Sequence, residues 1–253
     1  MTNIFITGCG SGLGKSLLKE SRSKGYEVYP HYRKDGDISS PSFSEQLEQS
    51  IKKNNIDVFI NNAAVYTGGS LEDIRDEEIQ QAIAINITGQ ILCLKKVYKV
   101  FKRNKKGLII NINSLAGIYP SKNESIYCAT KFALKGFSKS LQIEAIGTGV
   151  EIIDVYPGGM QTRMTANRNN YNSLMKVEEI AEQIISLISN KSYYTNELIL
   201  RKRNESSNAG YDIARIEPED KDEVGITTSY ISTKSTVTEA QSEKEWQDFW
   251  RKD

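Results

Sequence analysis

Histidine is almost absent from this chain of 253 residues, which has a single one, His31. A serine–histidine–carboxylate hydrolase would depend on that one residue, and a histidine-rich metal site is excluded. The three cysteines, Cys9, Cys93 and Cys128, form no Cys-x-x-Cys pair, and each lies in a segment expected to be packed. We therefore expect reduced thiols and no metal site.

The sequence also lacks a strong charge of one sign and any long apolar run. Its formal net charge is +1, so no general field favours nucleic acid or an acidic membrane as a partner. No stretch approaches about eighteen apolar residues, and no basic segment followed by an apolar one opens the chain. These absences predict a cytoplasmic protein with no nucleic-acid partner and no membrane partner.

Glycine is concentrated directly after the first predicted strand. The short apolar run at residues 3–6 predicts a buried strand, and the loop 7–14 leads into a helical stripe that begins at Leu13. Strand, glycine loop and helix together present backbone N–H groups and a helix N-terminus to a phosphate. The loop therefore predicts a phosphate-binding site.

The glycine spacing distinguishes between kinds of phosphate loop. A Walker A loop requires its first glycine where Cys9 stands. The Gly-x-Gly-x-x-Gly spacing fails as well, because Leu13 or Lys15 occupies the position of its last glycine. The glycines at positions 8, 12 and 14 instead fit the pattern Thr-Gly-x-x-x-Gly-x-Gly.

A second motif, Tyr127-x-x-x-Lys131, places a phenol and an ammonium one turn apart on a predicted helix. A nearby cation favours the phenolate, so we expect the pKa of Tyr127 to lie below its usual value. A tyrosine of this kind can exchange a proton with a substrate oxygen.

These two motifs and several others resemble the short-chain dehydrogenase/reductase family, over about residues 2–200. The other segments that match the family pattern, in chain order, are Asn61-Asn62-Ala63-Ala64, Asn86, Ser114, Pro157-Gly158 and Thr162. One position departs from it, since Ala64 stands where the family usually has glycine.

The resemblance implies a hydride exchange between a nicotinamide cofactor and a carbonyl or alcohol carbon. In that scheme Tyr127 transfers the proton, Lys131 lowers its pKa and binds the nicotinamide ribose, and Ser114 holds the reacting oxygen. Asn86 would anchor a water that links Lys131 to solvent. Besides Tyr127 and Lys131, the residues expected to bind the cofactor are Thr7, Gly8, Gly10, Ser11, Gly12, Leu13, Gly14, Tyr32, Arg33, Asp37, Ile38, Asn62, Ala63, Ala64, Pro157, Gly158 and Thr162.

The end of the second predicted strand addresses the choice of cofactor. Members that prefer NAD(H) place an acidic residue there, and this chain has Tyr32 followed by Arg33. A guanidinium suits a 2′-phosphate, so NADP(H) is favoured over NAD(H). The alternative is that Arg33 and Lys34 form a solvated turn. The pair Asp37-Ile38 is expected near the adenine.

Alternating strand and helix patterns predict an α/β fold with a doubly wound parallel sheet and helices on both faces. Strands are predicted near residues 3–7, 26–31, 57–61, 107–113, 150–155 and 197–200. Helices are predicted near 13–24, 41–54, 75–103, 125–147 and 177–190. The motifs then lie at the carboxyl ends of strands, where such sheets bind ligands.

The substrate is predicted from two loops, one after Ser114 and one after Thr162. The second, residues 163–176, is rich in Arg, Asn and Lys, which suits a small polar or anionic molecule such as a sugar, a polyol or a phosphorylated metabolite. A mobile surface loop would have the same composition.

Residues 1–200 are predicted to form the catalytic domain and residues 201–253 a polar tail. In the tail, disorder is expected through about 204–240, and Trp246, Phe249 and Trp250 fall at helical spacing, which indicates a terminal helix. The resemblance implies a homodimer or a homotetramer.

Two other functions stay open at this point. A sugar-nucleotide epimerase or dehydratase shares Tyr-x-x-x-Lys, but its usual loop has a glycine where Ser11 stands. A catalytically silent dinucleotide-binding regulatory protein would also fit the fold, because a fold does not set a function.

Overall fold

The computed structural model describes residues 2–167, 170–190, 192 and 194–203. Arg168 and Asn169 of the predicted substrate loop lie outside the described residues. The predicted polar tail beyond residue 203, with its expected disorder and its terminal helix, lies outside them as well.

The described residues form a parallel sheet of six strands in the order β2-β1-β3-β4-β5-β6. The strands are β1 Asn3–Ile6, β2 Glu27–Pro30, β3 Val58–Asn61, β4 Gly107–Ile112, β5 Val150–Pro157 and β6 Glu197–Leu200. The chain leaves β1 toward β2 and returns on the other side of β1 to β3. This reversal makes the carboxyl ends of β1 and β3 a topological switch point, where doubly wound sheets bind ligands.

Helices cover both faces of the sheet, as the alternating pattern predicts. They are α1 Gly12–Ser23, α2 Pro41–Lys53, α3 Asp76–Ile83, α4 Gln90–Asn104, α5 Ser125–Ala145 and α6 Val177–Ser189. Among the residues that the structure describes, no helix has the length and apolar character needed to cross a membrane.

Alternate strand residues face two separate cores. Phe5, Phe59, Ile109 and Ile152 face α2, α4 and α5, whereas Ile4, Ile60, Ile110 and Ile153 face α1 and α6. All eight side chains are buried. Strands covered on both faces read as continuous apolar runs, which explains why their periodicity in the sequence is weak.

The core on the α5 side contains a row of polar side chains in register across four strands. Asn61 pairs with Asn111, Asn111 with Asp154, and Asp154 with Glu197. The Ser138 hydroxyl on α5 donates to Asp154 at 2.5 Å, and the Asn111 amide donates to the same carboxylate at 3.0 Å. Because buried polar groups are costly unless they are hydrogen-bonded, these contacts fix α5 against the sheet.

The segment predicted as one helix over 75–103 contains an irregular turn. Residues Ala84–Gly89 form a π-helical turn between α3 and α4. Such turns occur often at functional sites. Here the turn carries Asn86, which is fully buried.

Candidate active site

The glycine loop is built by close backbone contact at the switch point. Gly8 and Gly12 have φ angles of +75° and +51°, a region that glycine adopts at no steric cost. A Cβ on Gly14 would lie 2.1 Å from the Gly8 carbonyl oxygen, so α1 could not approach the loop with any other residue there. The loop residues named in the sequence therefore come together at the start of α1.

Thr7 and Asn62 join the ends of β1 and β3. The Thr7 hydroxyl accepts hydrogen bonds from the backbone amides of Asn62 at 2.9 Å and Ala63 at 3.0 Å. The Asn62 side-chain amide donates back to the Thr7 carbonyl at 2.8 Å. These reciprocal bonds hold the glycine loop and the 61–64 segment in one arrangement.

The loop after β5 reaches the same place. The Thr162 methyl group would lie 3.4 Å from a Cβ on Gly12, so this threonine lies over the start of α1. The Gly158 amide donates to the Leu200 carbonyl at 2.9 Å, which ties the loop to the end of β6. The Pro157–Thr162 segment thus closes one side of the cleft above the glycine loop.

The other side of the cleft is formed after β2. Ile38 is buried and packs against Gly89, where a Cβ would lie 2.8 Å from its side chain. The Asp37 carboxylate accepts from the backbone and hydroxyl of Ser39, and these bonds hold the pKa of Asp37 below its usual value. Arg33 is exposed at the rim, in a short 3₁₀ turn that follows Tyr32.

Asn86 is held by three hydrogen bonds inside the fold. Its side chain accepts from the Val65 amide and donates to the Val65 carbonyl, both at 2.8 Å. It also donates to the Thr130 hydroxyl at 3.2 Å. Thr130 lies on α5 between Tyr127 and Lys131, so Asn86 connects the π-helical turn to the helix that carries the tyrosine–lysine pair.

Ser114 and Tyr127 meet at the carboxyl end of β4. Ser114 begins a 3₁₀ turn, with its hydroxyl accepting from the Ala116 amide at 3.1 Å. The same side chain hydrogen-bonds Tyr127. The serine hydroxyl and the phenol therefore lie side by side at this edge of the sheet.

The ionisation of Tyr127 differs from the expectation based on sequence. Burial, with smaller contributions from Glu124 and Tyr66, raises the pKa of Tyr127 to about 12, while the bond with Ser114 lowers it. The prediction that the pKa of Tyr127 lies below its usual value was wrong. The spacing of Tyr127 and Lys131 in the sequence does not reveal that the phenol is buried, and burial is the largest cause of the shift. A phenol with this pKa stays protonated at neutral pH and is ready to donate.

Lys131 is buried beneath the tyrosine. Its ammonium donates to the Ile112 carbonyl at 3.2 Å and lies 5.7 Å from the centroid of the Tyr127 ring. Burial lowers its pKa to about 8. Lys131 therefore contacts the end of β4 rather than the phenolic oxygen.

Several residues of this region were not found by sequence reasoning. Asn113 donates to the Lys131 carbonyl at 3.3 Å, and Thr130 donates to the Tyr127 carbonyl at 2.8 Å. Tyr66 packs edge-on against Tyr127 with ring centroids 5.2 Å apart, and its hydroxyl donates to Glu124 at 2.9 Å. Except for the bond within α5 between Thr130 and Tyr127, these contacts join residues far apart in the chain and leave no short-range signal.

The residues present suit a dinucleotide better than a metal. Glycines 8, 12 and 14 leave the backbone at the start of α1 open to close approach, and a helix N-terminus favours a pyrophosphate. Within the described ranges, no group of three or more histidine, cysteine, aspartate or glutamate side chains is arranged to hold a metal ion.

Comparison with known proteins agrees with this geometry. Residues 30–173 match the family model described as short chain dehydrogenase. A 3-ketodihydrosphingosine reductase from Bacteroides thetaiotaomicron is 31% identical over 195 residues, covering 72% of each chain. The chain belongs to the short-chain dehydrogenase/reductase family. It is an oxidoreductase that uses a nicotinamide dinucleotide cofactor.

Other relatives of this family member cover more of its length. The 3-oxoacyl-(acyl-carrier-protein) reductase FabG of Buchnera aphidicola is 30% identical over 227 residues, covering 77% of this chain and 93% of its own. Among solved structures, a serine dehydrogenase with NADP+ has a TM-score of 0.73 at 21% identity, covering 85% of this chain and all of its own. An alcohol dehydrogenase from Thermococcus sibiricus with 5-hydroxy-NADP has a TM-score of 0.71 at 23% identity, covering 80% and 97%. These two structures share the fold.

Proposed function

We propose that this short-chain dehydrogenase/reductase uses NADP(H) to interconvert a carbonyl group and an alcohol on a small polar substrate. The observation that carries the proposal is the meeting of Ser114 and Tyr127 at the carboxyl end of β4, above the buried Lys131. A site of this kind needs a hydroxyl to hold the substrate oxygen and a second group to move the proton.

The chain's own residues divide the work of the reaction. A bound nicotinamide dinucleotide supplies the hydride. Tyr127 gives its phenolic proton to the carbonyl oxygen during reduction and takes it back during oxidation. Ser114 donates a hydrogen bond to the same oxygen, and Lys131 keeps a positive charge below the phenol that stabilises a transient phenolate.

The cofactor is held, in this proposal, along the carboxyl edge of the sheet. The glycine loop and the N-terminus of α1 receive the pyrophosphate. Asp37 and Ile38 border the adenine, Arg33 contacts the 2′-phosphate, and Thr162 lies on the nicotinamide side. Support for NADP(H) comes from the exposed guanidinium of Arg33 and from the absence of a carboxylate at Tyr32.

Support for a small polar substrate comes from the groups that surround the cleft. Tyr66 and Glu124 lie beside Tyr127, and the Arg201 guanidinium is hydrogen-bonded to the Tyr119 hydroxyl in the loop after Ser114. Apolar side chains are present too, since Leu174 and Met175 pack beside Gly158 and Gly159. A sugar, a polyol or a phosphorylated metabolite would use the polar groups.

A reductase of acyl or lipid ketones is the second candidate. The two relatives compared by sequence are named for β-keto lipid and acyl substrates. A substrate screen should therefore contain a β-ketoacyl thioester beside the sugars and polyols. If the enzyme turns over the thioester and none of the sugars or polyols, the substrate is an acyl ketone and not a small polar molecule.

The cofactor part is tested by titrating the protein with NADPH and NADH in parallel and following nucleotide fluorescence. We expect tighter binding of NADPH, and a loss of that preference of about tenfold or more in Arg33→Ala, since a charge-assisted hydrogen bond contributes roughly 1.5–3 kcal/mol. Lys34→Ala, which removes the neighbouring exposed cation, is the matched control. Equal binding of the two nucleotides by the wild type would contradict the NADP(H) assignment.

A further inference from the structure

Tyr66 and Glu124 form a pair on one flank of Tyr127. The Tyr66 ring lies edge-on to the Tyr127 ring at 5.2 Å between centroids, with an interplanar angle of 61°. Its hydroxyl donates to a carboxylate oxygen of Glu124 at 2.9 Å. Glu124 immediately precedes α5, three residues before Tyr127. The carboxylate is thus fixed close to the group that transfers the proton.

The surrounding backbone holds this pair in place. The Gly69 amide donates to the Asn123 carbonyl at 2.8 Å, which joins the loop after β3 to the loop after β4. A Cβ on Gly68 would lie 2.3 Å from the Tyr66 hydroxyl oxygen, so a side chain at position 68 would displace the Tyr66 phenol from its present place. The Glu124 carbonyl accepts from the Cys128 amide at 2.7 Å, inside the first turn of α5.

The pair sets the charge beside the reacting centre. Among the charged groups that act on Tyr127, Glu124 contributes most to raising its pKa. Lys131 points away from this flank, toward the Ile112 carbonyl. This flank of Tyr127 is therefore bordered by the Glu124 carboxylate and by the Tyr66 phenol that is bonded to it.

A border of this kind discriminates between substituents of a ketone. An ionised carboxylate only accepts hydrogen bonds, and it accepts several at once. A hydroxyl or ammonium next to the reacting carbon can donate to it, whereas a carboxylate or phosphate there meets a like charge at short range. Like-charge contacts of this kind suppress the binding of the wrong partner.

We propose that Tyr66 and Glu124 determine substrate specificity, selecting carbonyl compounds with a hydrogen-bond donor beside the reacting carbon and rejecting those with an anionic group there. This inference rests on the proposed function and narrows it. Within the predicted classes it favours sugars and polyols that carry a free hydroxyl next to the carbonyl, over compounds with a phosphate or carboxylate at that position.

Hydroxyacetone and pyruvate test the selection directly, because both are three-carbon ketones and differ in a hydroxymethyl against a carboxylate. With NADPH as cofactor, we expect kcat/KM of the wild type to favour hydroxyacetone by more than tenfold. Glu124→Gln keeps an acceptor for Tyr66 but removes the charge, and it should reduce that ratio at least tenfold. Tyr66→Phe should reduce it less, because the carboxylate is still present.

Glu144→Gln is the matched control, since Glu144 is exposed near the other end of α5. The ratio should be unchanged in that variant. A Glu124→Gln ratio equal to that of the wild type, or a wild type that prefers pyruvate, would overturn the inference.

Binding separates this inference from the proposed function. In Tyr127→Phe, the NADPH complex can be titrated with each ketone through the change in nucleotide fluorescence, without turnover. Failure to bind NADPH counts against the proposed function. If NADPH binds, tighter binding of hydroxyacetone supports the selection, whereas equal or tighter binding of pyruvate, or binding of neither ketone, overturns it.

Discussion

The Asn86 side chain pairs with the backbone of Val65 in both directions, accepting from its amide and donating to its carbonyl at 2.8 Å each. This is the pattern that a neighbouring strand would provide, supplied here by one amide from a π-helical turn. The loop after β3 is fixed by it. Since that loop leads to Tyr66, Asn86 positions the wall of the cleft as well as the helix that carries Tyr127.

Removal of this pairing should destabilise the fold. Asn86→Ala leaves the amide and carbonyl of the half-buried Val65 without their partner, and a fully buried group left unsatisfied costs about 1–3 kcal/mol, which is an upper bound for each of these two groups. We expect a lower free energy of unfolding, by roughly 2–4 kcal/mol, together with a fall in kcat. Urea unfolding measures the first effect. Asn104→Ala, at an exposed position at the end of α4, serves as the control and should change neither quantity.

Replacement of the phenol should separate binding from chemistry. Tyr127→Phe removes the proton donor but keeps the ring that packs against Tyr66. We expect kcat for ketone reduction to fall by about 10²–10⁴-fold. The dissociation constant for NADPH should change little. A variant with wild-type turnover would contradict the role given to Tyr127.

The buried ammonium of Lys131 should reduce stability in a way that depends on pH. Burial holds its pKa at about 8, against roughly 10.4 in an unfolded chain, and this difference corresponds to about 3 kcal/mol below pH 8. As the pH rises from 8 to about 10.4, the native state releases this proton before the unfolded state does, so this contribution to stability rises. Lys131→Met should therefore have a higher Tm than the wild type at pH 7, and the gain should disappear near pH 10.5.

Lys19→Met, at an exposed position on α1, is the comparison for that experiment. It should show no gain at either pH. A Lys131→Met variant that is less stable than the wild type at pH 7 would mean that the bond to the Ile112 carbonyl outweighs the cost of burying the charge.

The buried carboxyl group of Asp154 also makes the stability of the fold depend on pH. Burial raises its pKa, against the bonds from Ser138 and Asn111 that lower it. An acid whose pKa is higher in the folded state than in the unfolded state stabilises the fold fully when the pH is below its unfolded-state pKa, here near 3.8. This stabilisation is lost as the pH rises through the folded-state pKa. Asp154→Asn removes this loss and keeps an acceptor for Ser138. We expect its Tm to exceed that of the wild type at pH 8, by a margin that shrinks toward pH 4.

A change in the pH trend is what identifies Asp154 as the cause. Lys139 and Glu197 face the same carboxylate, and the Tyr156 hydroxyl donates to it at 3.4 Å. If the difference in Tm between Asp154→Asn and the wild type stays constant from pH 4 to pH 8, the pH dependence of stability comes from those neighbours and not from Asp154.

The order of strands and helices could be predicted from the sequence because it depends on local patterns. The run before Thr7 and the stripe that begins at Leu13 each lie within one element, and parallel topology then brings Thr7, Asn61 and Ser114 to one edge of the sheet. The family pattern located the tyrosine and the lysine on one helix. The sheet, the helices on both faces and the family were confirmed.

Features that depend on contacts between distant residues could not be predicted in this way. The π-helical turn at Ala84–Gly89 has an ordinary helical pattern in sequence, and it is accompanied by the bonds between Asn86 and Val65. The pKa values of Tyr127 and Lys131 are set by burial, which no spacing reveals. The pair of Tyr66 and Glu124 brings together two loops that are separated by more than fifty residues.

The 21-residue helix α5 has a consequence for how this protein can change over evolutionary time. Tyr127, Lys131 and Ser138 are held in one arrangement, because they share this helix and the latter two are each bonded to the sheet. Tyr66 and Glu124 lie in segments outside that helix. Substitutions in those loops can therefore be made without removing a bond between α5 and the sheet, and a library confined to the loops would be the starting point for directed evolution of new selectivity.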